Sequence, residues 1–298
     1  MKIKLTKKQF DVLVALEESK EALSQRQLEN KTGISLGTIN KVVKELSEEG
    51  LIQDNVITNK GIEALEPYRA KRAVFIAAGF GSRMVPVTLN TPKPLVRVHG
   101  KRIIEGLLDA VVKAEIEEIY IVRGYLAEQF DQLLYKYPMI KFIENPLYNE
   151  ANNISSTLVA KHLLENAYVF EADLLISNPD IITKYHYSSD FLGIPMETSN
   201  DWCFETKNGI ITEVKIGGAN CYQEVGISYW NEEDGKKLNE HIEQAYNSPG
   251  GHELYWEQVP LVKFIDQYQV MIRECKEDDI IEIDTFNELK KIDKTYDV

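Results

Sequence analysis

The sequence predicts an α/β fold with a mainly parallel sheet over residues 71–298, preceded over residues 1–70 by a small, separate, mostly helical domain. Three observations carry this reading. From Arg72 onward, apolar strand segments alternate with helical ones, the pattern of successive βαβ units. Before Arg72, the apolar residues fall at helical spacing, and the runs open on capping signals. Charge divides the chain at the same place. Residues 1–72 hold 13 basic and 11 acidic residues, a net of +2, while the remainder holds 21 basic and 36 acidic, a net of −15 within the overall −13. An acidic body of this kind disfavours nonspecific nucleic-acid binding, and the near-neutral N-terminal part does not.

The N-terminal elements follow in order. Thr6 with Gln9, and Ser24 with Gln27, read as capping boxes. The first opens a helix on Phe10, Leu13, Val14 and Leu16, and the second a short helix through Leu28. A turn at Gly33 leads into a third helix, "SLGTINKVVKELSEEG", capped by Ser35, closed at Gly50 and apolar at Leu36, Ile39, Val43 and Leu46. "LIQDNVIT" predicts two short strands turning at Asp54-Asn55, and "NKGIEALEPY" a last short helix.

In the body, "AVFIA", "IYIV", "KFIE" and "YVFEAD" read as strands, with helices over "IIEGLLDAVVKA", "AEQFDQLLYKY" and "SSTLVAKHLLE". After Asp190 helices are fewer. "FLGIPME", "WCFETK", "IITEVKIG" and "CYQEVGISYW" read as strands, with Asn208-Gly209 as a hairpin turn. Ligands of such sheets sit beyond the carboxyl ends of the strands. No apolar run approaches the roughly 20 residues a membrane span needs, and "MKIKLTKKQF" lacks a signal-peptide core, so a cytoplasmic protein without a membrane partner is expected. The three cysteines form no CxxC pair, which argues against a disulfide framework and a zinc site.

The chemistry concentrates in "GFGSRMVPVTLNTPKPL", residues 79–95, directly after the first strand of the body. Gly79 and Gly81 remove side chains where backbone N–H groups can approach a phosphate. Arg83 supplies a fork of donors and Lys93 a point charge, both suited to phosphate oxygens. Two carboxylates, Asp173 after "YVFEA" and Asp284 after "IIEI", close apolar strands and make a plausible Mg²⁺ pair, although either also suits a helix N-cap. Trp202 in "NDWCF", with Tyr255 and Trp256 beside Glu253 and Glu257 in "HELYWEQV", suggests aromatic faces ringed by carboxylates. Such an arrangement holds a quaternary ammonium by cation–π attraction of roughly 0.5–2 kcal/mol per contact.

Helix, helix-turn-helix, two-stranded wing and helix together resemble a winged helix-turn-helix domain. That resemblance implies DNA as a partner, with Ser35, Thr38 and Asn40 at base edges, Lys41 and Lys44 at phosphates, and Lys60 near the wing. The competing reading is a dimerisation platform, with a homodimer as its expected assembly. The loop string resembles the signature of nucleotidyltransferases that condense a nucleoside triphosphate with a phosphorylated metabolite. With "GYLAEQF", "YNEANNISSTL", "EAD", "NDWCF", "ELYWEQ" and "EID", the body resembles bacterial phosphocholine cytidylyltransferases. Residue 174 is Leu where many members have Asn, "RMVP" stands for the commoner "RLRP", and "NNISS" replaces the turn of sugar-nucleotide enzymes, which argues against a sugar acceptor.

The resemblance implies a Rossmann-like mixed sheet and the reaction of CTP with phosphocholine to CDP-choline and pyrophosphate. It implies Arg83 and Lys93 as the catalytic cations and Mg²⁺ on Asp173 and Asp284. It further implies nucleotide contacts at Ala77, Ala78, Gly79, Gly81, Ser82, Asn153 and Ser155, and acceptor contacts at Trp202, Tyr255, Trp256 and Glu257. Aminoethylphosphonate and phosphoethanolamine also suit a carboxylate-rich pocket, so the amine stays open. The alternative from another class is a transcription regulator that senses such a ligand.

Overall fold

The computed structural model describes residues 3–297. The chain divides into two compact units, Met1–Arg69 with Tyr185–Tyr187, and Ala70–Lys184 with Ser188–Val298.

The first unit contains α1 (Lys7–Ser19), α2 (Gln25–Thr32), α3 (Leu36–Glu48), the strands β1 (Ile52–Gln53) and β2 (Val56–Ile57), and α4 (Asn59–Leu65). Thr6 and Ser24 form the capping boxes at α1 and α2. Asp54 and Asn55 both take positive φ, 52° and 60°, which closes β1 and β2 into the two-residue wing. Ser35 precedes α3 without a side-chain capping bond. Its hydroxyl lies 3.1 Å from Thr38 Oγ1, and the Leu36 N–H is bound by Glu29 Oε1 at 3.0 Å. Leu13, Leu16, Leu28, Ile39, Leu46 and Leu51 make the core. The segment 185–187, which a boundary at residue 70 does not foresee, supplies Tyr187, stacked on Tyr68 at 5.7 Å and donating its hydroxyl to the Leu5 carbonyl at 3.2 Å.

The second unit opens with β3 (Arg72–Ala77), the ribbon β4 (Arg97–Val98) and β5 (Lys101–Arg102), then α5 (Ile103–Lys113), β6 (Glu118–Arg123), β7 (Ile140–Glu144) and α6 (Ile154–Ala160). It continues with β8 (Ala167–Glu171), β9 (Leu174–Ile176), β10 (Asp190–Lys207), β11 (Ile210–Trp230), α7 (Glu232–Tyr246), β12 (Met271–Glu274), β13 (Ile280–Glu282) and α8 (Phe286–Ile292). Seven strands form one mixed sheet in the order β10-β12-β11-β8-β3-β6-β7. β8, β3, β6 and β7 run parallel, and β11 joins β8 antiparallel. Alternation along β3 sends Ala73, Phe75 and Ala77 to one face with Ile104, Leu107 and Leu108 of α5. Val74 goes to the other face, where Ile154 of α6 and Leu238 and Ile242 of α7 lie. Burial on both faces is why these strands read as continuous apolar runs.

Three departures from the sequence reading stand out. "AEQFDQLLYKY" forms 3₁₀ turns over Ala127–Tyr135, entered through Leu126 at φ 48°, with the Gln129 N–H closing on the Leu126 carbonyl at 3.0 Å. The four strand segments after Asp190 are two long, bulged strands joined at Asn208 (φ 54°) and Gly209 (φ 77°). Helix α7 was not expected, although Asn231 caps it and Glu232, Glu233 and Asp234 fill its first turn. Among the described residues, no helix is long and apolar enough to cross a membrane.

Candidate active site

A cleft of about 270 Å³ opens beyond the carboxyl ends of β3 and β8. Its first wall is the loop after β3. Gly81 sits at φ 62°, and a Cβ there would lie 3.0 Å from Lys93 Cβ and 3.1 Å from Thr88 Cγ2. The position therefore requires glycine both for its backbone and for the close approach of the segment carrying Lys93. Gly79 has no atom within 4 Å of its notional Cβ, so it leaves the cleft open. Thr88 Oγ1 donates to the Gly81 carbonyl at 2.8 Å, and Tyr125, just past β6, donates to the Thr88 and Leu89 carbonyls at 3.1 and 3.0 Å.

The second wall is built by a small ribbon. β9 pairs antiparallel with β13, Leu174 opposite Glu282, and this brings Asp173 and Asp284 to one end of the ribbon. Thr285, not Asp284, caps α8, its hydroxyl accepting from the Glu288 N–H, which leaves the Asp284 carboxylate to the cleft. Lys93 Nζ lies 2.6 Å from Asp173 Oδ2 and 3.0 Å from Asp284 Oδ1, and Arg83 binds Asp284 through both terminal nitrogens at 2.8 and 2.6 Å.

Charge pairing outweighs burial here. Burial works against the Lys93 ammonium, but Asp173 and Asp284 raise its pKa on balance. Burial likewise disfavours ionised Asp284, yet Lys93, a hydrogen bond with Glu282 and Arg83 lower it. Glu282 absorbs the opposite effect, pushed up to about 8 by burial and by the charges of Asp173 and Asp284.

One buried oxygen, Asp173 Oδ1, has no hydrogen-bond partner. Carboxylate oxygens of Glu171, Asp173 and Glu282 lie within 4.8 Å of one another. An all-carboxylate set with an orphaned oxygen fits a hard divalent cation. The metal pair expected from sequence, Asp173 and Asp284, thus stands beside two glutamates that sequence reasoning did not single out. Their signal was the glutamate two residues before each aspartate, in "EAD" and "EID".

Residues 72–192 match the nucleotidyl transferase family, and residues 3–55 match the MarR family. The chain is 37% identical over 228 residues to the 2-aminoethylphosphonate cytidylyltransferase of Lancefieldella rimae, an alignment covering 75% of this chain and 92% of that protein. This chain belongs to the cytidylyltransferases of the nucleotidyl transferase family. It is also 32% identical over 226 residues to the choline-phosphate cytidylyltransferase of Haemophilus influenzae, covering 74% of this chain and 95% of that one. The solved structure of the CTP:phosphocholine cytidylyltransferase of Streptococcus pneumoniae superposes with a TM-score of 0.68 at 30% identity, covering 76% of this chain and 99% of that one. The N-terminal unit is a MarR-type winged helix.

Within this cleft the remaining expected residues part company. Ala77, Gly79, Gly81, Ser82, Arg83, Lys93, Asn153, Asp173, Tyr255 and Asp284 line it, while Ala78 is buried and accepts from the Tyr125 N–H at 3.0 Å. Ser155 does not reach it. The side chain is 1% exposed, and its hydroxyl is taken by Asn145 Nδ2 at 3.0 Å and the Asn152 carbonyl at 2.8 Å. Asn153 lines the cleft and also accepts from the Trp256 N–H at 2.8 Å.

Trp256 is a core residue, 2% exposed, stacked on Phe191 at 6.1 Å and edge-on to Trp230 at 5.9 Å, so its faces are spent on packing. Trp202 and Tyr255 do meet, edge to face at 5.9 Å. Glu257 is buried, pushed up to about 7 by that burial against the pull of its own backbone and of Asn153. On the winged helix, Ser35, Asn40, Lys41 and Lys44 are exposed and Thr38 half-buried, with Lys41 and Lys44 loosely paired to Glu45 and Glu48 at 3.8 Å each.

Proposed function

We propose that the second unit condenses CTP with a small phosphonate or phosphate bearing a primary amine, 2-aminoethylphosphonate before the others, releasing pyrophosphate. The observation that carries the transferase chemistry is Lys93, held between Asp173 and Asp284 opposite the glycine loop. Two things favour the primary amine over phosphocholine. The Lancefieldella relative is a 2-aminoethylphosphonate enzyme, and with Trp256 in the core the three aromatic residues expected at the acceptor are reduced to the Trp202–Tyr255 pair. A trimethylammonium group gains most from an enclosing cage, and two walls make a poor one. That same pair is what favours phosphocholine as the second reading.

An acceptor oxygen attacks the α-phosphorus of CTP in line, the α–β bridging P–O bond breaks, and pyrophosphate departs. The acceptor is already an anion, so catalysis is alignment plus neutralisation of charge. The backbone around Gly79 and Gly81 takes the triphosphate, and Arg83 swings from Asp284 to its outer phosphates. Lys93, fixed by Asp173, stays between the α-phosphate and the attacking anion. Mg²⁺ on Asp173 with Glu282 or Glu171 would supply charge screening at the α-phosphate.

We also propose that the winged helix binds DNA through α3, with Ser35, Thr38 and Asn40 toward base edges and Lys41 and Lys44 toward phosphates. The deciding experiment for the enzyme is pyrophosphate release with CTP and Mg²⁺ against 2-aminoethylphosphonate, phosphoethanolamine, phosphocholine and glucose 1-phosphate. The highest kcat/KM is expected with 2-aminoethylphosphonate; a higher value with phosphocholine refutes the primary-amine reading.

A further inference from the structure

Beside the metal-type cluster lies a second group of carboxylates. Glu171 ends β8, Glu224 lies on β11, and Glu257 follows the Trp256 that Asn153 anchors. Gly226, two residues along β11 from Glu224, makes room for the Glu171 side chain. It sits at φ 67° on β11, next to the Ile227–Phe170 pair, and a Cβ there would fall 2.6 Å from Glu171 Oε2. Only glycine lets β11 cross that carboxylate. Glu257 is 7% exposed, and its Oε2 has no hydrogen-bond partner. Its charge is the largest felt by both Glu171 and Glu224 after burial itself.

No lysine or arginine among the described residues pairs with any of the three. Lys93, the buried cation of the cleft, is committed to Asp173 and Asp284. A buried carboxylate with an unpartnered oxygen, Glu257, beside the half-buried Glu171 and Glu224, calls for a cation and hydrogen-bond donors. A primary ammonium brings both, with three N–H donors, whereas a quaternary ammonium brings charge and no donor.

We infer that Glu224 and Glu257, with Glu171 between them, form the subsite that takes the acceptor's –NH₃⁺ group. This rests on the cytidylyltransferase reading above and assigns the residues that select its acceptor. Glu171 also borders the metal-type cluster, so Glu224 and Glu257 carry the selectivity.

The test compares 2-aminoethylphosphonate with ethylphosphonate, which lacks only the amine, at saturating CTP and Mg²⁺, for the wild type, Glu224→Gln and Glu257→Gln. Each variant is expected to raise KM for 2-aminoethylphosphonate by about thirtyfold or more, the effect of unpairing a buried charge. KM for ethylphosphonate and the affinity for CTP stay within about twofold. Because each substitution relieves repulsion, the Tm of the ligand-free variant does not fall, which a structural role would not allow. Equal changes in KM for both acceptors overturn the inference and leave the cytidylyltransferase reading standing. A wild type that turns over phosphocholine and not 2-aminoethylphosphonate overturns the primary-amine reading itself, before any variant is compared.

Discussion

Lys93→Met puts the central arrangement to a quantitative test. Lys93 is 7% exposed and shared by Asp173 and Asp284 at 2.6 and 3.0 Å. Methionine keeps the stem and removes the charge, so two carboxylates lose their common cation while Arg83 retains a hold on Asp284 alone. Breaking a buried pair costs roughly 3–5 kcal/mol. The carboxylates are 23% and 26% exposed, which admits some screening and argues for the lower end, about 3 kcal/mol. For a domain of this size that is a fall in Tm of roughly 6–12 °C. The assay is thermal unfolding in EDTA and again with millimolar Mg²⁺, which substitutes for the missing charge and restores part of the loss. Pyrophosphate release falls by about 10²–10³ or more in the same variant, as for loss of a positioned transition-state donor. A variant with wild-type Tm in EDTA refutes the stabilising role of Lys93, and wild-type turnover refutes its place in the chemistry.

Four further outcomes follow from the same geometry. Gly81→Ala, placed at φ 62° with its Cβ 3.0 Å from Lys93 Cβ, is expected to lose about 1–3 kcal/mol in urea unfolding and at least tenfold in kcat/KM. Trp256→Ala costs about 3–5 kcal/mol of stability, while Trp202→Ala stays within about 1 kcal/mol and instead raises the acceptor KM. Glu257 holds its proton in the folded state up to pH of about 7, against an ordinary value of 4.5. Folded protein therefore binds more protons than unfolded between these values, and stability declines as pH rises through that window. Urea titrations from pH 4 to 8 are expected to show a shallower decline in Glu257→Gln. Replacing Lys41 and Lys44 by alanine weakens binding to all DNA sequences alike and lowers the slope of log K against log salt by about 2, measured by fluorescence anisotropy.

Local signals in the sequence were strong wherever short-range physics decides the outcome. The capping boxes at Thr6 and Ser24, the wing turn at Asp54-Asn55 and the hairpin turn at Asn208-Gly209 each depend on four residues or fewer, and each formed where expected. The loop bearing Gly81, Arg83 and Lys93 was legible for the same reason. Long-range pairing was not. That Asp284 would meet Lys93 and Arg83 depends on β9 pairing with β13, a contact with no local trace. Trp256 looked like Trp202 in composition, and only packing against Phe191 and Trp230 separates them. Ser155 resembled a substrate contact until Asn145 claimed its hydroxyl. Helix α7 has a readable cap but little apolar signal, because five of its first eight residues are charged and its apolar stripe begins only at Leu238.

The ribbon of β9 and β13 also sets an order of events on the ribosome. Lys93 waits through 191 residues for Asp284, and Arg83 through 201. A nascent chain translated as far as α7 already displays the glycine loop, yet Asp173 still lacks the neighbouring strand that completes its wall. A chain stopped before 280–284 holds every strand of the large sheet and lacks both β13 and the Asp284 that pairs with Lys93 and Arg83. On the proposed chemistry, competence waits for the residue that joins Lys93 from 191 positions further along the chain.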